Sequence, residues 1–137
     1  MRSGATANIM QMQAVYERRL DRYELEETVS KIISARRNRS LHFPAGIFSD
    51  PAWDILLQLT LAESRCVRLT TSSLCDAIDA PTTTALRWIG LLADEGLVVR
   101  HDDVNDKRRT YIELSSDAFA SMNDYCSTAD LPGTLRV

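Results

Sequence analysis

Histidine and cysteine are scarce in this sequence: two histidines, His42 and His101, and three cysteines, Cys66, Cys75 and Cys126, in 137 residues. No cysteine pair has CxxC spacing and neither histidine stands beside a cysteine, so no metal site is expected. Three scattered cysteines do not make a disulfide framework. Buried free thiols are the structural expectation, and a redox-sensing thiol is the alternative for any of the three. No apolar run approaches the roughly 18 residues of a membrane span. The opening MRSGATANIM also lacks the apolar core of a secretory signal. A cytoplasmic location and no membrane partner are therefore expected. With five glycines in all, the chain has no glycine-rich phosphate loop, and no Ser/His/Asp arrangement is visible. Its carboxylates fall at capping or loop positions. Neither an enzyme, a catalytic residue nor a cofactor is expected.

Nothing in the totals departs from an ordinary globular chain: 45% hydrophobic and 26% charged residues. The length fits one domain, or one domain with an appended helix. The net charge of −3 lacks the basic surplus usual in nucleic-acid binders, yet the charges are unevenly spread. Residues 1–40 carry eight Lys/Arg against five Asp/Glu, and residues 41–80 carry two against five. Residues 81–115 carry five against six, but Lys107, Arg108 and Arg109 are consecutive. Such clusters matter more than the sum, because phosphate contacts act within about a Debye length.

Residues 8–39 contain no glycine or proline and carry apolar side chains at Ile9, Met12, Tyr16, Leu20 and Tyr23, then Leu25, Val29, Ile32 and Ile33. Spacings of three and four predict one long helix, with a change of face near Tyr23–Leu25. At about 30 residues it would extend roughly 45 Å, more than a core this small covers. Its stripe is expected to meet another chain, the alternative being a helix folded across its own domain. The Arg36, Arg37 and Arg39 cluster at its end is either a solvated face or a phosphate contact. Ser40 to Ser49 reads as a connection. Asp50-Pro51 is a capping residue followed by proline at the first helical position, opening a central helix to Glu63. Trp53 is a core anchor in that helix.

From Leu69 to Ser115 the element order is the informative feature. Cys66 to Leu69 is a short strand. Thr70 or Thr71 then caps a helix bearing Leu74, Ala77 and Ile78. Asp79-Ala80-Pro81 makes the turn, with Asp79 suited to a left-handed conformation. A second helix from Thr82 to Glu95 faces inward at Ala85, Ile89 and Leu92, and Gly96 stops it. Strands Leu97–Arg100 and Thr110–Leu114 flank the charged tip HDDVNDKRR as a hairpin. Ser115 or Ser116 caps a last helix from Asp117 to about Ala129, and the tail from Asp130 is expected to be mobile. The fold class is mainly α with a small β-hairpin, a winged helix-turn-helix with a long N-terminal helix. Three parts are expected: residues 1–48 for dimerisation, 49–116 for the winged helix, and 117–137 for the last helix and tail.

In such a module the second helix enters the DNA major groove and the hairpin meets neighbouring backbone or minor groove. Short polar side chains and arginine near the helix start suit direct readout. Thr82, Thr83, Thr84 and Arg87 fit, although threonines at helix starts also serve as caps. In the hairpin, Asp103 and Asp106 are expected to hold Arg108 and the backbone, leaving Lys107 or Arg109 for phosphate. Alternation puts Arg108 and Thr110 on one face and Arg109 on the other. Trp88 is expected to pack on the wing or the first helix, and Leu91 to face outward.

The run from Leu69 to Ser115 resembles the DNA-binding core of the MarR family of bacterial transcriptional regulators. It carries Leu92, Asp94, Glu95 and Gly96-Leu97-Val98 at the end of the recognition helix, then Asp103, Asp106 and Arg108 in the wing, then Leu114-Ser115. The resemblance implies a homodimer that binds an approximately palindromic operator on double-stranded DNA, usually as a repressor. It matches Arg87 to the family's recognition-helix arginine and Arg108 to its wing arginine. Val104 stands where the family often has proline, and Leu91 where it often has a basic residue. About 20 residues follow Ser115, so dimerisation is expected to rest largely on the N-terminal helix. Any small-molecule effector is unknown. The alternative function is a winged-helix protein-interaction module without specific DNA binding, to which Trp88, Leu91 and the acidic balance point.

Overall fold

A computed structural model describes residues 19–44 and 46–129. Helix α1 (Arg22–His42) begins at an Asp21 cap. The Asp21 carboxylate accepts a hydrogen bond from the Glu24 N–H at 2.8 Å, and the Glu24 carboxylate accepts one from the Asp21 N–H at 3.4 Å. This capping box satisfies donors that a helix start leaves orphaned. It corrects the single helix expected over 8–39: residues 19–21 are not helical, and residues 8–18 lie outside the described residues. At its other end α1 passes residue 39 and stops at Phe43, whose extended backbone precedes Pro44. Leu25, Thr28, Val29 and Ile33 are buried, whereas Tyr23, read as part of the apolar stripe, is 73% exposed.

Helix α2 (Pro51–Ser64) starts as the sequence predicts, with the Asp50 side chain accepting from the Trp53 N–H and proline in the first turn. Ile55, Leu57, Leu59, Thr60 and Ala62 are buried, which makes α2 the central helix. Trp53 is half-buried and meets the Tyr125 ring edge-on at 4.9 Å. The arginines at the end of α1 divide. Arg36 closes on Asp54 of α2 at 2.7 Å, and Arg39 lies over the Phe48 ring at 4.8 Å. Both are thereby tied to protein groups, and only Arg37 fits the solvated-face alternative.

Then come β1 (Leu69–Thr70), α3 (Thr71–Ala77), α4 (Thr82–Asp94), β2 (Val98–Asp102), β3 (Thr110–Leu114) and α5 (Ser116–Ala129). The predicted hairpin is present, and β1 extends it to a three-stranded antiparallel sheet of order β1-β3-β2. The register sets Leu69 and Arg100 against Ile112, and Val98 against Leu114. Thr70 caps α3 by accepting from the Ser73 N–H, and Ser115 caps α5 by accepting from the Ala118 N–H. Leu25, Val29, Ile55, Leu74, Ile89, Ile112 and Cys126 belong to one buried cluster reaching from α1 to α5.

Two helices end alike. After α4, Gly96 N–H donates to the Ala93 carbonyl and Leu97 N–H to the Leu92 carbonyl, with Gly96 left-handed at φ 73°. After α2, Cys66 N–H donates to Glu63 and Val67 N–H to Ala62, with Cys66 at φ 56°. Both are Schellman endings, which need a left-handed residue just past the cap. The left-handed position expected at Asp79 is a correction: among the described residues Cys66 is the non-glycine residue with positive φ. The α3–α4 turn instead leaves through an extended Ile78, at φ −108° and ψ 150°. Cys75 and Cys126 are buried as expected, whereas Cys66, in the left-handed position after α2, is exposed. Among the described residues no helix is long and apolar enough to cross a membrane.

Candidate nucleic-acid interface

Helix α4 buries Ala85, Ile89 and Leu92, at the spacing of four and three read from the sequence. Fixing that stripe inward sends Thr83, Leu86 and Arg87 outward by helical geometry, and all three are exposed. Thr82 is also exposed, while Thr84 is half-buried beside Ala85. The cap residue is Pro81, which offers no side-chain hydrogen bond to the helix start. Capping therefore does not explain the three threonines. Arg87, one turn after Thr83, makes no ion pair among the described residues. Leu91 faces outward at 40% exposure, as its spacing predicts. Trp88 is half-buried against the core.

The wing loop, residues 103–109, is built by its aspartates. Asp103 N–H donates to the Arg109 carbonyl at 2.9 Å and closes the loop. The Asp103 carboxylate accepts from the Asn105 N–H at 2.9 Å, and the Asp106 carboxylate accepts from the Arg108 N–H at 3.1 Å. Such Asx turns replace the backbone hydrogen bonds that a loop lacks. The Arg108 guanidinium closes on Asp106 at 3.1 Å while its side chain stays 91% exposed. That side-chain bond, reinforced by the Arg108 N–H, holds the Asp106 carboxyl below the usual carboxylate range. Arg109 is not free, since it lies 3.9 Å from Asp103; Lys107 has no ionic partner among the described residues. Strand alternation does not reach Arg108, because β3 begins at Thr110 and residues 106–109 form a turn.

Between the start of α3, the start of α4 and the wing lies an open groove of about 920 Å³, bordered by Thr70–Ser73, Thr82, Leu86, Arg108 and Arg109. The structure thus brings Thr82, Arg108 and Arg109 to one groove and leaves Thr83 and Arg87 on the adjoining helix face. Of the hydroxyls of Thr70–Ser73 at this groove, the sequence marks Thr70 or Thr71 only as a cap and does not single out Ser72 or Ser73. Cys75 also borders it, and burial pushes its thiol pKa up, which works against thiolate chemistry there. Arg100 likewise escaped the sequence reading. It lies on the face of β2 that carries Val98, and its Nη2 comes within 3.6 Å of where a Cβ on Gly90 of α4 would sit. Strand alternation from Val98 was the available signal.

No known family model matches the chain. Over 76 residues the chain is 37% identical to a riboflavin kinase of Thermococcus kodakarensis, a match covering 53% of this chain and 35% of that protein. The chain thus spans about a third of the length of this curated relative. Among solved structures, S. aureus MepR in its DNA-binding conformation superimposes with a TM-score of 0.53 and 18% identity, over 74% of this chain and 70% of MepR. The adhesin competence repressor AdcR of Streptococcus pyogenes gives a TM-score of 0.49 at 20% identity, over 77% of this chain and 74% of AdcR. The element order, the three-stranded sheet and the MepR superposition show the winged-helix fold of MarR-type regulators.

Proposed function

We propose that this chain is a DNA-binding transcriptional regulator, a binding protein rather than an enzyme, acting in the cytoplasm as a homodimeric repressor. One observation carries the reading. Thr82, Thr83 and Arg87 stand exposed on α4, their side chains without partners among the described residues, beside a wing that presents Lys107, Arg108 and Arg109. A helix face of this composition suits the major groove. Arg87 has the reach for guanine O6/N7, and the threonines offer hydroxyls to base edges or phosphate and methyls to thymine. Thr84, half-buried, contributes from the helix edge. The wing cations take flanking phosphates, with Asp106 fixing the loop that carries them. The net charge of −3 is offset locally, since Asp106 and Asp103 of the wing are engaged with Arg108 and Arg109, although Asp76 borders the same groove with no ion pair among the described residues.

The test is binding to duplexes selected from a random pool, measured across salt concentrations. Wild type is expected to bind with affinity falling steeply as salt rises. Arg87→Ala is expected to lose about 1 to 3 kcal/mol on the preferred site and to relax the choice at one base position. Unchanged affinity and selectivity in that variant would sink the assignment of Arg87. A second reading, a protein-interaction module, draws on Leu86 and Leu91, which are 45% and 40% exposed on the same helix. Absence of binding to every duplex at low salt would favour it.

A further inference from the structure

The exposed face of α4 contains a residue that helix propensity does not explain. Gly90 sits in the helix interior with no positive φ, where glycine costs about 1 kcal/mol relative to alanine. What occupies the space above it is Arg100 of β2, whose Nη2 lies 3.6 Å from the position of a Gly90 Cβ. The sheet register explains how an arginine arrives there. Arg100 pairs with Ile112 and follows Val98 by two residues, so its side chain leaves the sheet on the face that packs against the helices. Ile112 and Val98 are 1% and 3% exposed. Arg100 itself is exposed, because it emerges past the edge of that packing and over α4. Gly90 lies three residues after Arg87 and seven after Thr83, on the same side of the helix.

Acidic partners set Arg100 apart from most arginines around it. Arg68 is paired with Glu113, Arg108 with Asp106 and Arg109 with Asp103. Arg87 and Arg100 have no such partner among the described residues. A small residue at position 90 thus leaves room for a strand-borne guanidinium over the recognition helix, its charge uncompensated: a Cβ there would meet it in ordinary contact at 3.6 Å, and only a longer side chain would displace it.

We infer that Arg100 is a further DNA contact: it reaches across Gly90 to a backbone phosphate beside the C-terminal half of α4, and positions the helix in the groove. The inference rests on the DNA-binding reading above. A phosphate contact, unlike a base contact, acts alike on all sequences and adds to the salt dependence.

The probe is short mixed-sequence duplex DNA alongside the selected site, with folding of each variant checked by circular dichroism. Arg100→Ala is expected to weaken binding to both duplexes by a similar factor, roughly threefold to tenfold, and to make the log–log salt slope shallower by about 1. Arg100→Lys is expected to keep the slope. Gly90→Leu, which fills the space under the guanidinium, is expected to reproduce the Arg100→Ala slope even though Arg100 is present. Wild-type affinity and slope in folded Arg100→Ala overturn the inference while leaving the DNA-binding reading intact. A loss confined to the selected site overturns it too, since that would mark a base contact. If wild type binds neither duplex at any salt, the DNA-binding reading falls and this inference with it.

Discussion

Cys66 and Gly96 occupy the same place in two helix endings, and the comparison isolates one side chain's cost. Both are left-handed just past a helix cap, but only glycine adopts that conformation without steric penalty. A Cβ there costs roughly 1 to 2 kcal/mol, against a loss of about 0.4 to 1 kcal/mol from the extra freedom glycine brings to the unfolded chain. The balance favours glycine. Cys66→Gly is expected to raise stability by about 0.5 to 1 kcal/mol, read as a higher urea midpoint with unchanged slope. Its contact with Arg22, 3.0 Å from Sγ, is exposed and subtracts little. An equal or lower midpoint would show that the thiol has a contact worth more than the strain. At this scale much was legible: Asp50-Pro51, Gly96 and the inward Ala85, Ile89 and Leu92 all stand where the pattern put them. Cys66 was not, because a Schellman ending depends on where the helix runs out, and no local propensity favours cysteine there. Asp79 shows the converse, a residue suited to a left-handed turn in a turn that uses extended backbone instead.

Among the polar links that hold elements to one another, one fixes the residue just before helix α1. Asn123 of α5, 4% exposed, accepts from the Leu20 N–H at 3.0 Å and donates to the Leu20 carbonyl at 3.2 Å. A single amide thus satisfies both backbone groups of a residue just before α1, as a neighbouring strand would. Asn123→Ala leaves both groups buried and unpaired, and each costs about 1 to 3 kcal/mol. The variant is expected to lose about 2 to 3 kcal/mol in urea unfolding, and a loss under about 0.5 kcal/mol would show that water replaces the amide. From sequence the segment looked like one helix that changes face near Tyr23–Leu25, since helical spacing resumed on the other side of that point. The Asp21-x-x-Glu24 box was present in the text but competed with that periodicity. The box and the Asn123 link together end the competition at Asp21.

Across the described residues a buried cluster runs from α1 to α5, with the candidate interface on one side. Elsewhere Leu41, Phe43, Ile47 and Phe48 are 83%, 53%, 61% and 46% exposed around the connection between α1 and α2. Apolar exposure of this kind supports the proposed homodimer, which would also present two recognition helices to two half-sites. Light scattering on the purified chain is expected to give twice the 15.4 kDa chain mass. A strictly monomeric mass at micromolar concentration would remove the dimer from the proposal. The sequence by itself determined the order of elements, the inward stripe of α4 and the charged wing, because those follow from periodicity and turn chemistry between near neighbours. It also marked Thr82, Thr83, Thr84, Arg87 and Lys107–Arg109 as the candidate site. Only the tertiary structure decided which charges are spent and which remain. Arg36 meets Asp54 and Arg68 meets Glu113 across gaps in sequence that no local rule spans. The placing of Arg100 over Gly90 is of the same kind, since it follows from how sheet and helix pack, and packing is a property of the assembled chain.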